Sequence, residues 1–350
     1  MIIPEIEKKE IERYISVYDF SAYVKDKTFL ITGAKGIVGS GIIKWLIYLH
    51  SNKKLSIKII ATTRDPDIIP DYISADDPIK YITYGEEDLN TKECHIDYII
   101  HAASSTDNKY HMMHPFESFR VNYDGTERLI ELALKNDGAS LIYISSEEVY
   151  GITDSVDAIP EEQTQSGVSS TNPRSCYPIS KLASEFICLA AASEYSLRAN
   201  VIRPTGIQGL LQKYDTPRVA NEIMRCAVEH RDLELNSDGT TKKCMIYSLD
   251  AVAAILIVLF KGEKGGVYNA SDPRTFLSVN ELAERVFTRF SPDNKVIHKT
   301  EPEITKKGYL PHRSIVQDIT KIKQLGWEPI TDLEGIYKID IDRFSKDEVK

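Results

Sequence analysis

Tyr177 and Lys181 stand four residues apart in Cys176-Tyr177-Pro178-Ile179-Ser180-Lys181, which opens an alanine-rich stretch running to about Ser193. On a helix that spacing places a phenol and an ammonium on one face, one turn apart. A cation near a phenol favours the phenolate, so the pair can act as a base near neutral pH. The spacing alone also fits an ordinary surface pair, and its chemistry depends on what lies beside it. Upstream, the apolar run Ser140-Leu141-Ile142-Tyr143-Ile144 ends in Ser145-Ser146-Glu147-Glu148. Adjacent carboxylates at the mouth of a buried strand suit acid–base work, whereas on an exposed turn they would be merely solvated.

The elements that must position these groups begin with Phe29-Leu30-Ile31-Thr32-Gly33-Ala34-Lys35-Gly36-Ile37-Val38-Gly39. An apolar strand, three glycines spaced by three and an apolar helix form a dinucleotide-binding unit. The first glycine permits a tight turn, the second a close approach to pyrophosphate, and the third close packing of helix on strand. The helix N-terminus supplies the positive end for the phosphates. A second strand, Ile57 to Thr63, ends in Thr63-Arg64-Asp65, where such a fold meets the adenosine ribose. An arginine there suits a 2'-phosphate, so Arg64 tilts the choice between NAD and NADP toward NADP. Tyr81 to Tyr84 then leads to Glu87-Asp88-Leu89, and Ile96 to His101 runs into Ala102-Ala103-Ser104, small residues beside which a cofactor fits. Past Pro115 a helical segment carries Asn122. Strands alternating with helices through residue 150 predict an α/β, Rossmann-type doubly wound parallel sheet, with ligands beyond the C-terminal ends of its strands.

Composition sets the remaining bounds. The 350 residues carry a formal net charge of -9 with 27% charged residues. That describes an acidic globule with no electrostatic footprint for nucleic acid. No apolar run reaches membrane-span length and the first ten residues lack signal-peptide order, so a cytoplasmic protein is expected. Five scattered cysteines, Cys94, Cys176, Cys188, Cys226 and Cys244, lack any metal or disulfide framework spacing and read as free thiols, with no metal site. Residues 1–26 form a polar extension suited to a packing arm or an oligomer contact. The Rossmann domain is expected over 27–203, and a smaller α+β domain, mainly for substrate, over 204–350. Ala251 to Phe260 reads as a core helix.

The glycine turn, the strand-end serines and the Tyr177–Lys181 pair, in this order, resemble the extended short-chain dehydrogenase/reductases, and more narrowly the nucleotide-sugar epimerases, dehydratases and decarboxylases. The likeness extends through Ser146 to Gly151, Arg203-Pro204-Thr205-Gly206, Tyr268-Asn269-Ala270 and Leu325-Gly326-Trp327-Glu328-Pro329. It implies an NAD(P)-dependent enzyme acting on a nucleotide-diphosphate sugar through a 4-keto intermediate. Tyr177 would take the 4-hydroxyl proton, Ser146 would hydrogen-bond the same oxygen, and Lys181 would lower the tyrosine pKa and hold the ribose. Beside Gly33, Lys35, Gly36, Ile37 and Gly39, it implies cofactor contacts from Thr63, Arg64, Asp88, Leu89, Ala102, Ala103, Ser104, Asn122, Ser145, Tyr177, Lys181 and Arg203. Substrate contacts would come from Ser104, Arg174, Tyr214, Arg218, Asn221, Lys243 and Arg313.

In the family's 4,6-dehydratases an aspartate and a glutamate follow the hydroxyl residue and eliminate water across C5 and C6. Glu147-Glu148 fits that pattern best, and 4,6-dehydration is the leading expectation. Pro173-Arg174-Ser175-Cys176-Tyr177 instead looks like the UDP-glucuronate decarboxylases. Those enzymes have an arginine where this chain has Lys243, a cation without a bidentate fork. Gly206 replaces the family's usual asparagine after Arg203. C4 epimerisation, an NADPH-dependent 4-ketoreductase that would need no Glu147, and a non-catalytic cofactor-binding regulator remain as alternatives. The resemblance also implies a homodimer through the helix bearing Tyr177 and its neighbour.

Overall fold

The computed structural model describes residues 3–85, 95–163, 168–299 and 314–346. Asp88, Leu89 and Arg313, together with Cys94, lie outside the described residues. The strands are β1 (Lys27–Thr32), β2 (Ile57–Thr63), β3 (Ile79–Thr83), β4 (Tyr98–His101), β5 (Ser140–Ile144), β6 (Ala199–Pro204), β7 (Gly206–Gln208), β8 (Leu233–Leu235), β9 (Lys242–Tyr247), β10 (Val267–Ala270), β11 (Asp272–Ser278), β12 (Val296–His298) and β13 (Ser314–Ile315). The helices are α1 (Glu5–Val17), α2 (Ser21–Val24), α3 (Ile37–Lys53), α4 (Asn108–Met113), α5 (Pro115–Lys135), α6 (Cys176–Glu194), α7 (Val219–Glu229), α8 (Ser248–Lys261), α9 (Val279–Phe290), α10 (Thr320–Lys323) and α11 (Leu333–Lys346).

Seven strands form a parallel sheet in the order β10-β6-β5-β4-β1-β2-β3. Two apolar clusters line it. One joins α3 and α8 to the sheet, the other joins α5 and α6 to the opposite face. Sheet strands covered on both faces read as continuous apolar runs, which is why β1 and β5 were legible without alternation. The order reverses at β1, with β2 on one side and β4 on the other, and a ligand crevice opens at such a reversal.

The expected break at residue 203 is not where the sheet ends. After β6 the chain builds β7, which pairs with β9, and a small sheet β11-β9-β13. Between β9 and β11 it returns as α8, buried from Ser248 to Phe260, and as β10, the edge strand beside β6. An all-apolar helix can only be satisfied beneath a large sheet, so residues 248–270 complete the first layer while the flanking segments build the second unit.

The N-terminal extension is a packing arm. Ile11, Tyr14 and Ile15 of α1 are buried, and Tyr14 hydrogen-bonds Thr331 at 2.7 Å. Glu7 and Lys44 of α3 form a buried ion pair at 2.5 Å. The arm thereby ties α3 to the segment before α11.

Candidate active site

Gly33 ends β1 with φ of +66°, the left-handed region that favours glycine, and a Cβ there would lie 2.6 Å from the Ala102 carbonyl oxygen. The turn therefore nests against Ala102-Ala103 at the end of β4, the neighbouring strand. At Gly39 a Cβ would come within 2.9 Å of the Ala34 Cα and the Gly33 carbonyl carbon, so α3 packs on its own turn only as glycine. Gly36 caps α3 without a side-chain hydrogen bond, leaving Ile37 to open the helix behind the turn. Thr32 fixes the junction: its hydroxyl accepts the Ala103 amide at 3.1 Å and meets His101 Nδ1 at 2.8 Å. Burial pushes His101 down to about 3, so this ring is neutral.

Lys35 reaches across the β1 and β2 ends to the Asp65 carbonyl at 2.5 Å, and the Thr63 hydroxyl accepts the Asp65 amide. Arg64 is exposed at the rim. Ser104, half-buried, donates to the Ser105 carbonyl. Deeper in, Asn122 on α5 donates to Ser180 on α6 at 2.8 Å, a bridge that fixes the helix bearing Tyr177. The Asn122 Oδ1 and the Ser145 hydroxyl are buried without hydrogen-bond partners among the described residues. Orphaned polar atoms beside a glycine cradle fit a dinucleotide whose ribose and amide groups complete them.

Beyond β5, Ser146 caps a 3₁₀ turn over Glu147–Tyr150, accepting the Glu148 amide at 3.2 Å. Its hydroxyl also interacts with the Tyr177 phenol, joining the two groups expected to share one oxygen. Lys181 is buried beneath, donating to the Ile144 carbonyl at 2.7 Å, with its ammonium 5.7 Å from the Tyr177 ring centre. Burial sets the electrostatics of both groups. Burial first, then the charge of Glu148, pushes Tyr177 up to about 12, against which Ser146, Arg218 and Arg174 act to lower it, and burial lowers Lys181 to about 7. Its Nζ faces the Ile144 carbonyl and the rings of Tyr143 and Tyr177.

The two glutamates diverge. Glu148 takes Arg174 Nη2 on both oxygens, at 2.8 and 2.7 Å. Glu147 is buried on the side of β9, where its charge acts on Cys244. Arg218 approaches Tyr177 closely enough to lower its pKa and donates to Thr106 at 3.1 Å, linking the β4 loop to the second unit.

The remaining expected contacts fall as follows. Arg203 is corrected from cofactor contact to structural clamp, because its guanidinium is buried on Glu185, the Tyr150 hydroxyl and the Glu161 carbonyl. Tyr214 donates to Glu229 and packs edge-on against Phe344, away from Tyr177. Asn221 is buried, with its amide reaching the Lys213 carbonyl at 3.5 Å. Lys243 lies half-buried on β9, next to Cys244. One residue of the cluster was not foreseen: His111 of α4, whose ring centre lies 4.9 Å from that of Tyr177. A lone histidine in Tyr110-His111-Met112-Met113 carries no periodic signal, and only the fold of the β4 loop brings it there. Among the described residues, Cys176, Cys188, Cys226 and Cys244 are free, no group of three His, Cys, Asp or Glu could hold a metal ion, and no helix is long and apolar enough to cross a membrane.

A parallel sheet with a glycine turn at its reversal point and a serine, tyrosine and lysine beyond the next strands defines a nucleotide-binding fold of the short-chain dehydrogenase/reductase type. The chain belongs to the NAD dependent epimerase/dehydratase family, whose profile matches residues 29–271. It is 27% identical over 337 residues to a trifunctional UDP-glucose 4,6-dehydratase/UDP-4-keto-6-deoxy-D-glucose 3,5-epimerase/UDP-4-keto-L-rhamnose-reductase of Arabidopsis thaliana, covering 92% of this chain and 48% of that one. The chain thus spans about half the length of the plant relatives it matches. A UDP-glucuronic acid decarboxylase of Danio rerio is 24% identical over 347 residues, covering 99% of this chain and 79% of its own. The fold is shared with a UDP-glucose 4-epimerase of Thermotoga maritima at a TM-score of 0.77 and 22% identity, covering 91% of this chain and 99% of that one.

Proposed function

We propose that this protein is an NAD(P)-dependent nucleotide-sugar enzyme working through a 4-keto intermediate, with 4,6-dehydration as its reaction. The observation that carries this reading is the contact between the Ser146 hydroxyl and the Tyr177 phenol, with Glu148 on the same cluster. A bound NAD(P) supplies a two-electron acceptor and donor for the sugar. Gly33, Gly36 and the start of α3 would hold its pyrophosphate, Lys35, Thr63 and Arg64 would border its adenosine end with Arg64 favouring NADP, and Asn122, Ser145 and Lys181 would line its inner end.

The side chains divide the remaining work. Ser146 and Tyr177 would orient the 4-hydroxyl and take its proton. Burial and Glu148 hold Tyr177 up at about 12, with Arg174 and Arg218 already lowering the phenol. A ketone at C4 acidifies the neighbouring C5–H bond. Glu147 and Glu148 would then serve as the acid–base pair that removes that proton and protonates the departing 6-hydroxyl, the bonds broken being C5–H and C6–O. Arg218, Asn221 and Lys243 would border the nucleotide diphosphate. An exposed aromatic face on α5 and α6, with Phe116 76% and Phe186 70% exposed, favours a homodimer burying it.

Decarboxylation is the second reading, favoured by the buried Arg174. The test is mass spectrometry of UDP, dTDP, CDP and GDP hexoses and hexuronates incubated with the purified protein without added reductant. Loss of water supports dehydration, loss of carbon dioxide replaces it with decarboxylation, and an unchanged panel, with and without NADPH, contradicts both.

A further inference from the structure

Two buried side chains against Tyr177 carry hydrogen-bonding capacity that the described protein does not use. His111 is 1% exposed, its Nδ1 meets the Ser118 hydroxyl at 3.1 Å, and its Nε2 makes no hydrogen bond of good geometry among the described residues, the Ser105 backbone being the polar group that acts on the ring. Arg174 is 3% exposed, with its guanidinium carbon 5.5 Å from the Tyr177 ring centre. Its Nη2 is committed to Glu148, whereas Nε and Nη1 have no partner. An unsatisfied buried polar group destabilises a fold, so a fold that keeps several around one ring keeps them for a ligand or for trapped water. Burial, then the nearby Arg174 charge, holds His111 down at about 4. It is thus a neutral imidazole, with one hydrogen-bonding nitrogen spent on Ser118 and one spare.

We propose that His111 and Arg174 form a polar subsite against the Tyr177 ring that hydrogen-bonds the oxygen substituents of the sugar next to the carbon on which Tyr177 acts, making His111 a specificity-determining residue. This rests on the nucleotide-sugar reading above. Arg174 can do this while holding Glu148, because different nitrogens serve the two partners. His111 contributes direction without charge, which suits hydroxyl groups and separates its role from that of the guanidinium.

The experiment is calorimetric titration of the full chain, supplied in parallel with NAD and with NADP, with eight probes: the glucose conjugates of UDP, dTDP, CDP and GDP and the four bare diphosphates. It compares wild type, His111→Phe and His111→Gln, with thermal melting to show that each is folded. Phenylalanine keeps the ring contact and removes Nε2, whereas the glutamine amide reaches to a similar place. One lost hydrogen bond corresponds to a roughly 3- to 10-fold weakening. The subsite predicts that loss for the sugar nucleotide in H111F, unchanged binding of the matching bare diphosphate, and recovery in H111Q. Equal weakening of sugar-bearing and bare nucleotides assigns His111 a structural role, and unchanged affinity assigns the spare nitrogens to internal water; either overturns the proposal. A wild-type protein that binds a bare diphosphate without gain from the sugar overturns the subsite and leaves nucleotide recognition standing. Binding of none of the eight overturns the nucleotide-sugar reading together with it.

Discussion

Arg174 and Glu148 offer a direct probe of the cluster around Tyr177, because each neutralises the other where water is scarce. The side chains are 4% and 17% exposed and meet at 2.7 Å. Removing one partner of a buried pair costs about 3–5 kcal/mol by stranding the other charge. Glu148 retains some access to water, so Arg174→Met should lie below that range, at about 2–3 kcal/mol, and Glu148→Gln, which strands the more deeply buried guanidinium, at about 3 kcal/mol. The double variant strands neither, and the coupling should be about 1.5–3 kcal/mol. Urea denaturation of the four proteins near neutral pH measures it. The same cycle moves a second observable: Glu148 raises the Tyr177 pKa and Arg174 lowers it. Ultraviolet titration referenced to Tyr177→Phe should therefore show the phenol falling in E148Q and rising in R174M. Additive free energies, with Tyr177 titrating alike in all four proteins, would refute the reasoning.

Three further outcomes are expected. Asp340 is fully buried, its carboxylate oxygens have no hydrogen-bond partner among the described residues, and burial raises its pKa from 3.8 to about 7. Across that window the folded protein keeps a proton that the unfolded chain has released, so its contribution to stability, full at acid pH, is lost as pH rises. Asp340→Asn should therefore gain on wild type by roughly 2–4 kcal/mol between the two ends of the window, measured by denaturation at a series of pH values; parallel curves contradict this. Gly39→Ala must push α3 off the Gly33 turn and should lose about 1–3 kcal/mol of stability together with NAD(P) affinity in fluorescence titration, whereas undiminished affinity would contradict the cradle. Phe116→Glu combined with Phe186→Glu should convert a dimer to a monomer in light scattering with the fold retained; a wild-type monomer at working concentration removes the dimer.

Sequence reading succeeded where a local rule ties residue type to backbone. The strand, glycine turn and helix at Phe29 to Gly39 admit few alternatives, and the four-residue spacing of Tyr177 and Lys181 survives in α6 because a helix fixes it. It failed where tertiary context decides. Arg203 follows an apolar strand like a ligand contact, yet Glu185, one turn beyond Lys181 on the same helix, claims its guanidinium. Burial pushes Tyr177 up and Lys181 down, and the four-residue spacing of the pair carries no information about burial. The return of α8 and β10 to the first sheet was equally hidden, since short apolar runs do not say which layer they join. His111 needed the path of the β4 loop, which no periodicity encodes.

The central claim, that Tyr177 and Ser146 open a 4-keto route completed by Glu147 and Glu148, is tested most directly with UDP-glucose and dTDP-glucose deuterated at C4. Mass spectrometry and proton NMR of the products should show loss of water with the deuterium now at C6, and no product from Tyr177→Phe. Deuterium still at C4 in a dehydrated product, or a dehydrated product formed equally by the Tyr177→Phe protein, would contradict the account.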